Sequence, residues 1–318
     1  MKLSLFYHNV TIIDYSYLDQ QLGPVGNSLI VDLELEGTND SEEGVIFDFA
    51  NAKKKVKEVI DLECDHRLVV PTELIGLVMD EYQGSTHIQY PLAGDLPTLV
   101  YRAPIEAICQ IEAEEITTPT VARYLEDIIM GHMPPNISRV GITLRQEAGQ
   151  KDDSFFHYTH GLKRHYGNCQ RLLHGHRNTI FIAIDGKRSL EHEQQLLTSW
   201  PNRSIHFACW NNIINQEEIL SSLGTNTSPF GCHPSSLMVH IAYQSKQGKF
   251  ELQLPACMVY IMPDETTVEN ICTFFATVIR AQVGSDHLVQ LFAFEGVGKG
   301  ANATIPAGAE EESSLFPI

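Results

Sequence analysis

The sequence matches itself at a single fixed offset, and this internal repeat constrains the fold more than any other feature. Residues 29–37 align with residues 178–186, and the same offset places Val25-Gly26-Asn27 opposite His174-Gly175-His176. A repeat on this scale indicates a duplicated structural unit. We therefore predict two tandem copies, at residues 1–150 and 151–300, separated by a polar junction at 149–153 and followed by a flexible acidic tail at 301–318.

Length, charge and cysteine usage narrow the class of protein. The chain has 318 residues, of which 43% are apolar, enough for one large or two ordinary domains. Its 40 acidic residues outnumber 22 lysines and arginines, and the formal net charge of −18 argues against nucleic acid or an anionic membrane as a partner. No apolar run approaches the roughly 18 residues of a membrane span. The seven cysteines are scattered without paired spacing, so we expect reduced thiols in a cytoplasmic protein.

Hydrophobic periodicity predicts a similar series of elements in both copies. In the first copy, Asp48 is the expected N-cap of a helix with the apolar stripe Val56, Val59, Ile60 and Leu62, and Thr118 opens a second helix. The predicted strands of this copy are 10–13, 29–35, 99–102, 105–112 and 140–144. After the histidine-rich segment, the second copy is predicted to have strands at 205–210, 237–243, 250–261 and 288–294, and helices at 190–200 and 267–279.

A histidine-rich segment, residues 159–176, carries the strongest sign of chemistry. His174 and His176 stand just before an apolar run at 180–184 that reads as a strand. In a strand their side chains share one face about 7 Å apart, and two imidazoles at that spacing can grip one metal ion. Gly175 faces the other way and leaves room for another part of the chain to pack closely.

His160 is the candidate for a third metal-ligating nitrogen. It follows an aromatic run at 155–158 that reads as the preceding antiparallel strand. Three neutral histidines with an open fourth position are the ligand set of a catalytic zinc. Cys169 is either the fourth ligand or a reactive thiolate whose pKa a nearby cation lowers. The alternative without a metal is two surface histidines and one core cysteine.

Motifs in three parts of the chain belong to one known pattern. They are GVIFDF from Gly44 with Asp65-His66 beyond the following helix, His160 with Cys169 and the HGH from His174, and TTVEN from Thr266 with Phe294-Glu295. Together they resemble the signature of the 6-pyruvoyl- and 6-carboxytetrahydropterin synthases, spread here over twice the usual chain length. The resemblance implies zinc enzymes of the tunnelling fold that act on 7,8-dihydroneopterin triphosphate.

This resemblance implies a fold, an activity and a set of site residues. The fold is α+β, with two tandem tunnelling-fold (T-fold) units, each an antiparallel sheet with helices on one face, assembling into a β-barrel homo-oligomer. The implied catalytic residues are Cys169, Asp65 and His66, the implied Zn²⁺ ligands are His160, His174 and His176, and the implied substrate-binding residues are Glu295 and Thr267. Taken alone, Asp65-His66 is equally typical of a helix C-terminus beside a surface acid.

The implied activity is that of a zinc-dependent lyase. We expect formation of 6-carboxytetrahydropterin, a precursor of queuosine and other deazapurines, ahead of formation of 6-pyruvoyl-tetrahydropterin. No residue separates the two outcomes by physical argument. The possibility from another class is a non-catalytic assembly protein that keeps the zinc and a pterin pocket. Retention of Cys169, Asp65 and His66 favours the enzyme, because a scaffold needs none of them.

The two copies lack complementary parts of this site. In the first copy Val25 and Asn27 replace the paired histidines, and Ser16 stands near the place of the third. The second copy has no Asp-His pair after its first helix, since Asp286-His287 precedes the last strand and is interpreted as a loop pair. The resemblance implies sites between neighbouring subunits, so we expect one complete site per chain.

Four cations lie close to the histidines in a chain that is poor in basic residues. They are Lys163, Arg164, Arg171 and Arg177. A triphosphate would be repelled by the overall field, and local cations would steer it to the site. The alternative is ordinary scattered surface charge.

Overall fold

The computed structural model describes residues 3–39, 44–147, 154–223, 228–234 and 236–309. These residues form a mixed α+β protein with five α-helices and three β-sheets. No helix among them is both long and apolar enough to cross a membrane. The predicted junction at 149–153 and the end of the predicted tail lie outside the described residues.

The described residues before 146 contain eight strands and two α-helices. The strands are β1 (Leu3–Asp19), β2 (Gly23–Gly37), β3 (Leu68–Pro71), β4 (Val78–Tyr82), β5 (Ser85–Tyr90), β6 (Leu99–Pro104), β7 (Ile108–Ile111) and β8 (Ile137–Arg145). The helices are α1 (Phe49–Glu63) and α2 (Thr118–Met130).

The described residues from 154 onward contain nine strands and three α-helices. The strands are β9 (Phe155–His160), β10 (His174–Ile184), β11 (Lys187–Arg188), β12 (Ser204–Cys209), β13 (Met238–Ser245), β14 (Gly248–Pro255), β15 (Val259–Met262), β16 (Val289–Phe294) and β17 (Gly300–Ile305). The helices are α3 (Leu190–Thr198), α4 (Gln216–Ser222) and α5 (Val268–Val283), and a short 3₁₀ helix spans Gly167–Gln170.

Two of the three sheets share one strand order. The first sheet runs β7-β3-β1-β2-β8, and the second runs β15-β12-β9-β10-β16 with β17 outside β16 and β11 on β10. In each sheet an antiparallel hairpin, β1-β2 or β9-β10, lies in the middle. A strand that follows a helix, β3 or β12, lies parallel to the first strand of the hairpin. A later strand, β8 or β16, pairs antiparallel with the second strand of the hairpin. This shared order agrees with the internal repeat.

The first two sheets are mixed, so the expectation that each copy has an antiparallel sheet was wrong for them. β3 lies parallel to both β1 and β7, and β12 lies parallel to both β9 and β15. The reason is the connection between strands. A helix separates β2 from β3, and β3 runs opposite to β2. Because β3 joins the sheet on the far side of β1, which also runs opposite to β2, β3 and β1 are parallel.

The third sheet joins the two parts of the chain. Its order is β13-β14-β6-β5-β4. β14 pairs antiparallel with β6 at three positions, of which the first joins Glu251 and Arg102. Its apolar face is one continuous core that includes Tyr101, Phe250 and Leu173. The third sheet therefore crosses the boundary between the predicted copies, and the division into tandem units stays a prediction.

Capping residues fix the starts of the main helices. Asp48 accepts a hydrogen bond from the backbone N–H of Asn51 at the start of α1, as predicted. Thr117 and Thr267 do the same for α2 and α5. Each such cap contributes about 1 kcal/mol to helix stability. The predicted stripe on α1 is buried at Val56, Val59 and Ile60, but Leu62 is 60% exposed because it lies on the opposite face.

Two glycines allow the central hairpins of the first two sheets to touch. A Cβ atom on Gly175 would lie 2.6 Å from the Cα of Gly26 and 2.6 Å from the carbonyl oxygen of Tyr158. Real side chains do not approach backbone so closely, so both positions require glycine. Gly175 thus faces away from the histidines and into a close contact, as predicted, and its partner is the matching glycine of the first hairpin.

The predicted tail begins as an ordered strand. β17 pairs with β16 from Val289 opposite Ile305 to Phe294 opposite Gly300, and its residues alternate between exposed and partly buried. Residues 301–305 of the predicted tail therefore form a paired strand. The side chains of this strand are small, so the period-two pattern is weak in the sequence although the backbone pairing is complete.

Candidate functional site

The three predicted zinc ligands come together at one end of the second hairpin. His160 ends β9 and pairs directly with His174, which begins β10, while His176 pairs with Tyr158. The ring centroids of His160 and His174 are 4.3 Å apart, and each lies about 5.5 Å from that of His176. One potential ligand atom from each ring lies within 4.8 Å of the other two. All three side chains are at most 1% exposed.

One ring nitrogen of His160, one of His174 and both of His176 have no hydrogen-bond partner. The Nδ1–H of His160 donates to the carbonyl oxygen of Thr266 at 2.8 Å, and that of His174 donates to the carbonyl oxygen of Arg171 at 2.7 Å. Because a carbonyl can only accept, Nδ1 carries the proton and Nε2 keeps its lone pair. The Nε2 atoms of His160, His174 and His176 are buried without any hydrogen-bond partner.

This donor set fits a zinc ion. A buried nitrogen that lacks a partner costs free energy, and a metal ion bound by the three lone pairs would remove that cost. Burial lowers the pKa of His160 and His174 well below the ordinary value, and the neighbouring histidines lower it further. The rings of His160 and His174 are therefore neutral, as metal ligands must be.

The Asp65-His66 pair lies beside this cluster in the same chain. The two residues follow α1, and His66 has a φ of 56°, in the left-handed region, which turns the chain into β3. The His66 ring stacks on that of His174 at a centroid distance of 5.2 Å and meets that of His176 edge-on at 6.3 Å. Its Nδ1–H donates to the Asp65 carboxylate at 2.5 Å.

Cys169 faces the other side of His66. Its sulfur is within hydrogen-bonding distance of the His66 ring, and the potential ligand atoms of Cys169, His66 and His174 lie within 4.8 Å of one another. Burial lowers the pKa of His66, but the bonds to Asp65 and Cys169 outweigh it and raise that pKa to about 10. Cys169 therefore faces a protonated imidazole, and it shares only His174 with the histidine cluster.

The third sheet holds the loop that carries Cys169. Tyr243 donates to the carbonyl oxygen of Gln170 at 2.9 Å, and Tyr101 donates to that of Leu172. Gln247, in the turn between β13 and β14, donates to the carbonyl oxygen of Gly167 at 3.0 Å. The strands of the third sheet thus fix the position of the Cys169 thiol relative to His66.

Arg171 lies behind the acid–base pair and is not at the surface. Its Nε donates to Gln247 at 2.9 Å and one terminal nitrogen lies 3.4 Å from the carbonyl oxygen of Asp65. Burial lowers its pKa to about 10. Arg177 is also buried and packs over the ring of Phe155, whereas Lys163 and Arg164 are exposed. Of the four predicted steering cations, only the exposed pair is at the surface, because strand β10 carries Arg177 into the interior.

Glu295 directly follows the last residue of β16. Its side chain is 22% exposed and its Oε2 is 4.0 Å from the Nζ of Lys299. Lys299 in turn lies 3.4 Å from the carboxylate of Asp14. Thr267, predicted to bind substrate, has its hydroxyl engaged as the N-cap of α5, where it accepts from the N–H of Asn270. Substrate roles for Glu295 and Thr267 stay predictions.

Two site residues were missed by the sequence reasoning. Thr266 accepts from His160 through its carbonyl oxygen, and its hydroxyl is 3.2 Å from the same nitrogen. Asp14 in β1 has one carboxylate oxygen 3.2 Å from the Nδ1 of His176. The two atoms are close, but the direction of the contact is outside the range of a hydrogen bond. Burial would raise the pKa of Asp14, but His176, Lys299 and Ser28 lower it below its ordinary value.

The first hairpin aligns with the second one residue away from the predicted alignment. Ser16 pairs with Gly26, just as Thr159 pairs with Gly175, so Tyr17 and not Ser16 occupies the place of His160. The loop within the first hairpin is much shorter than the loop within the second. A single alignment offset therefore cannot fit both strands of the two hairpins. Asp286 and His287 lie in the loop between α5 and β16, as predicted, and the His287 ring pairs with Asp185 at 2.7 Å on the exposed surface.

Comparison with known proteins finds structural neighbours of one kind. The crystal structure of 6-pyruvoyl tetrahydropterin synthase from Plasmodium vivax covers 47% of this chain and 94% of its own, with 17% identity and a TM-score of 0.38. The enzyme from Plasmodium falciparum covers 45% of this chain and 90% of its own, with 16% identity and a TM-score of 0.36. No family model and no curated protein matches the sequence. The chain is thus similar, at low identity, to solved 6-pyruvoyltetrahydropterin synthases.

Proposed function

We propose that this protein is a zinc-dependent lyase that acts on 7,8-dihydroneopterin triphosphate and forms 6-carboxytetrahydropterin. One observation carries the proposal: three buried, unpaired Nε2 atoms lie next to a thiol, an imidazole and a carboxylate that contact one another. A structural zinc site needs no acid–base pair, and an acid–base pair needs no unpaired histidines. The combination is typical of metal-assisted proton abstraction.

His160, His174 and His176 would hold the zinc, with the fourth position left to the substrate. When bound, the ion would act as a Lewis acid toward the side-chain hydroxyls of the substrate and ease loss of protons from the adjacent carbons. The two backbone carbonyls behind His160 and His174 fix the tautomer and direction of those rings. The site therefore needs little rearrangement to accept the ion.

Cys169 and His66 would move the protons. As a thiolate, Cys169 removes a proton from the substrate side chain, and His66 is the second acid–base group. Asp65 keeps the proton of His66 on Nδ1, so the Nε2 of His66 is the atom that exchanges a proton. The third sheet supports this arrangement because it fixes the loop of Cys169.

Glu295 would anchor the pterin ring, and Thr267 would border the same pocket. A carboxylate can accept two hydrogen bonds from the amino group and ring nitrogen of a pterin. Its partial exposure leaves Glu295 open to a ligand, and the nearby Lys299 keeps its charge compensated. The exposed Lys163 and Arg164 would attract the triphosphate.

The organisation of the chain follows from the same proposal. Two tandem T-fold units, one with the zinc ligands and Cys169 and the other with Asp65-His66, would make one site per chain. Several chains would then close a β-barrel homo-oligomer. The shared strand order of the first two sheets supports the duplication.

Incubation of the zinc-loaded protein with 7,8-dihydroneopterin triphosphate, followed by mass spectrometry of the products, tests the proposal. We expect 6-carboxytetrahydropterin with release of acetaldehyde and triphosphate. Formation of 6-pyruvoyl-tetrahydropterin would keep the lyase and change its product. Unchanged substrate with bound zinc would contradict the proposal and favour a non-catalytic assembly protein.

A further inference from the structure

Asp14 is a buried carboxylate that contacts the metal cluster from the other part of the chain. It lies in β1 and is 4% exposed. One of its oxygens accepts from the Ser28 hydroxyl at 2.5 Å and lies 3.2 Å from the Nδ1 of His176, and the other lies 3.4 Å from the Nζ of Lys299. His160 and His174 have backbone carbonyls at this position, so His176 is the ligand with a charged partner.

The backbone of Asp14 holds the acid–base pair at the same time. Its N–H donates to the Asp65 carboxylate at 2.9 Å, and its carbonyl oxygen accepts from the N–H of His66 at 2.6 Å. The second bond holds His66 where its φ is in the left-handed region. A single residue therefore contacts a metal ligand through its side chain and both members of the pair through its main chain.

We infer that Asp14 is a positioning residue that holds the zinc ligand His176 in a fixed position relative to the pair Asp65-His66. A carboxylate behind a ligating imidazole fixes the ring and makes its other nitrogen a better donor, and loss of such a partner costs 10- to 100-fold in metal affinity, roughly. The inference rests on the zinc site of the proposed function. It adds that the part of the chain without zinc ligands also determines how tightly the zinc is held.

Zinc affinity of Asp14→Asn, measured by competition with a chelator, tests this role. The amide keeps the size of the side chain and removes its charge. We expect zinc to bind about 10- to 100-fold more weakly, and the visible spectrum of the cobalt-substituted protein to shift because His176 changes orientation. Asp32→Asn is the matched control, since Asp32 is a carboxylate of the neighbouring strand that pairs with Arg145. We expect it to leave both readouts unchanged.

A double-mutant cycle separates this role from a general effect on folding. In a His176→Ala background, Asp14→Asn should cost no further zinc affinity, because its target is gone. In a His160→Ala background, it should still weaken binding. If Asp14→Asn does not fold, Ser28→Ala removes one hydrogen bond to the carboxylate and should weaken zinc binding by a smaller factor.

The outcomes distinguish this inference from the proposed function. Unchanged zinc affinity and an unchanged cobalt spectrum in Asp14→Asn, or in Ser28→Ala if that variant is used, would overturn the inference and leave the zinc site intact. Equal losses in the His176→Ala and His160→Ala backgrounds would also overturn it. A wild-type protein that binds no zinc would overturn both the inference and the proposed function.

Discussion

His66 is the residue at which the two parts of the candidate site meet. Its ring lies between the Asp65 carboxylate and the Cys169 thiol, and it stacks on His174. Burial lowers its pKa, but its two partners raise that pKa to about 10, so His66 is protonated at neutral pH. In the metal-free protein, His66 is therefore a proton donor held against the thiol.

Removing either member of this contact should stop the chemistry and keep the metal. We expect Cys169→Ser and His66→Gln to lower the rate of product formation by about 10²- to 10⁴-fold, because each removes a proton-transfer group. Zinc content per chain should stay at the wild-type value, since neither residue belongs to the three-histidine cluster. Cys232→Ser, at an exposed cysteine, is the control. Loss of zinc in Cys169→Ser would contradict the assignment of the thiol as a catalytic group.

Buried neutral histidines should make the metal-free protein sensitive to acid. Burial lowers the pKa of His206 to about 3, whereas an unfolded histidine titrates near 6.5. Between these values the unfolded state binds the extra proton, so the free energy of unfolding falls as the pH falls from about 6.5 to 3, by up to about 1.4 kcal/mol per pH unit.

His206→Gln should reduce this acid sensitivity. Unfolding in denaturant between pH 7 and pH 4 should give a shallower loss of stability than in the wild type. The exposed His132→Gln is the control and should not change the slope. An unchanged slope in His206→Gln would show that this imidazole is not held neutral by burial.

The sequence predicted which side chains form the candidate site, but it did not predict all of the residues that hold these side chains in position. The spacing of His174 and His176 and the motif pattern were enough to bring His160, Cys169 and Asp65-His66 to one pocket. Asp14 and Thr266 were missed as supporting residues, because their partners are 162 and 106 positions away, and no local spacing reports such contacts.

At the scale of elements, capped helices were predicted well and short strands poorly. The starts of three helices were predicted to within one residue of their observed N-caps, which are Asp48, Thr117 and Thr267. The strands β3, β4 and β5 were missed. β3 is only four residues long and fully buried, so it shows no alternation. The exposed β4 has no apolar face, so its sequence lacks the alternation that indicates a strand.

The contact between the two central hairpins should tolerate no side chain at Gly175. In Gly175→Ala, the new methyl group would meet the backbone of Gly26 and Tyr158, so the hairpins must separate. We expect the free energy of unfolding to fall by about 1–3 kcal/mol and zinc binding to weaken, because His174 and His176 flank the site. Denaturant titration and chelator competition measure the two effects.

Gly141→Ala is the matched control for this substitution. It adds the same methyl group to a strand, where the nearest atom would be at an ordinary 3.6 Å. Equal stability of Gly175→Ala and Gly141→Ala would contradict the close packing of the hairpins.

At the scale of the whole molecule, the third sheet makes the two parts of the chain one structure. β14 pairs with β6 across the predicted boundary, and its hairpin turn holds the Cys169 loop. The sequence repeat could not show this sheet, because its strands come from segments that have no counterpart in the alignment. The acid–base pair and the metal ligands consequently meet inside one chain.

Mixing inactive chains should therefore not restore activity. We expect an assembly of His66→Gln chains with His174→Ala chains to stay inactive, because each chain lacks one part of its own site. The product assay on co-expressed, doubly tagged protein measures this. Recovery of a substantial fraction of wild-type activity would mean that the site is built between chains.

X-ray absorption at the zinc edge, together with zinc content per chain, tests the central claim most directly. We expect one zinc per chain, with three imidazole nitrogens, a light atom in the fourth position and no sulfur. His174→Ala should weaken zinc binding and remove one imidazole nitrogen from the ligand set. A chain that binds no zinc, or a zinc with sulfur among its ligands, would contradict the assignment of His160, His174 and His176 as an open metal site beside Cys169.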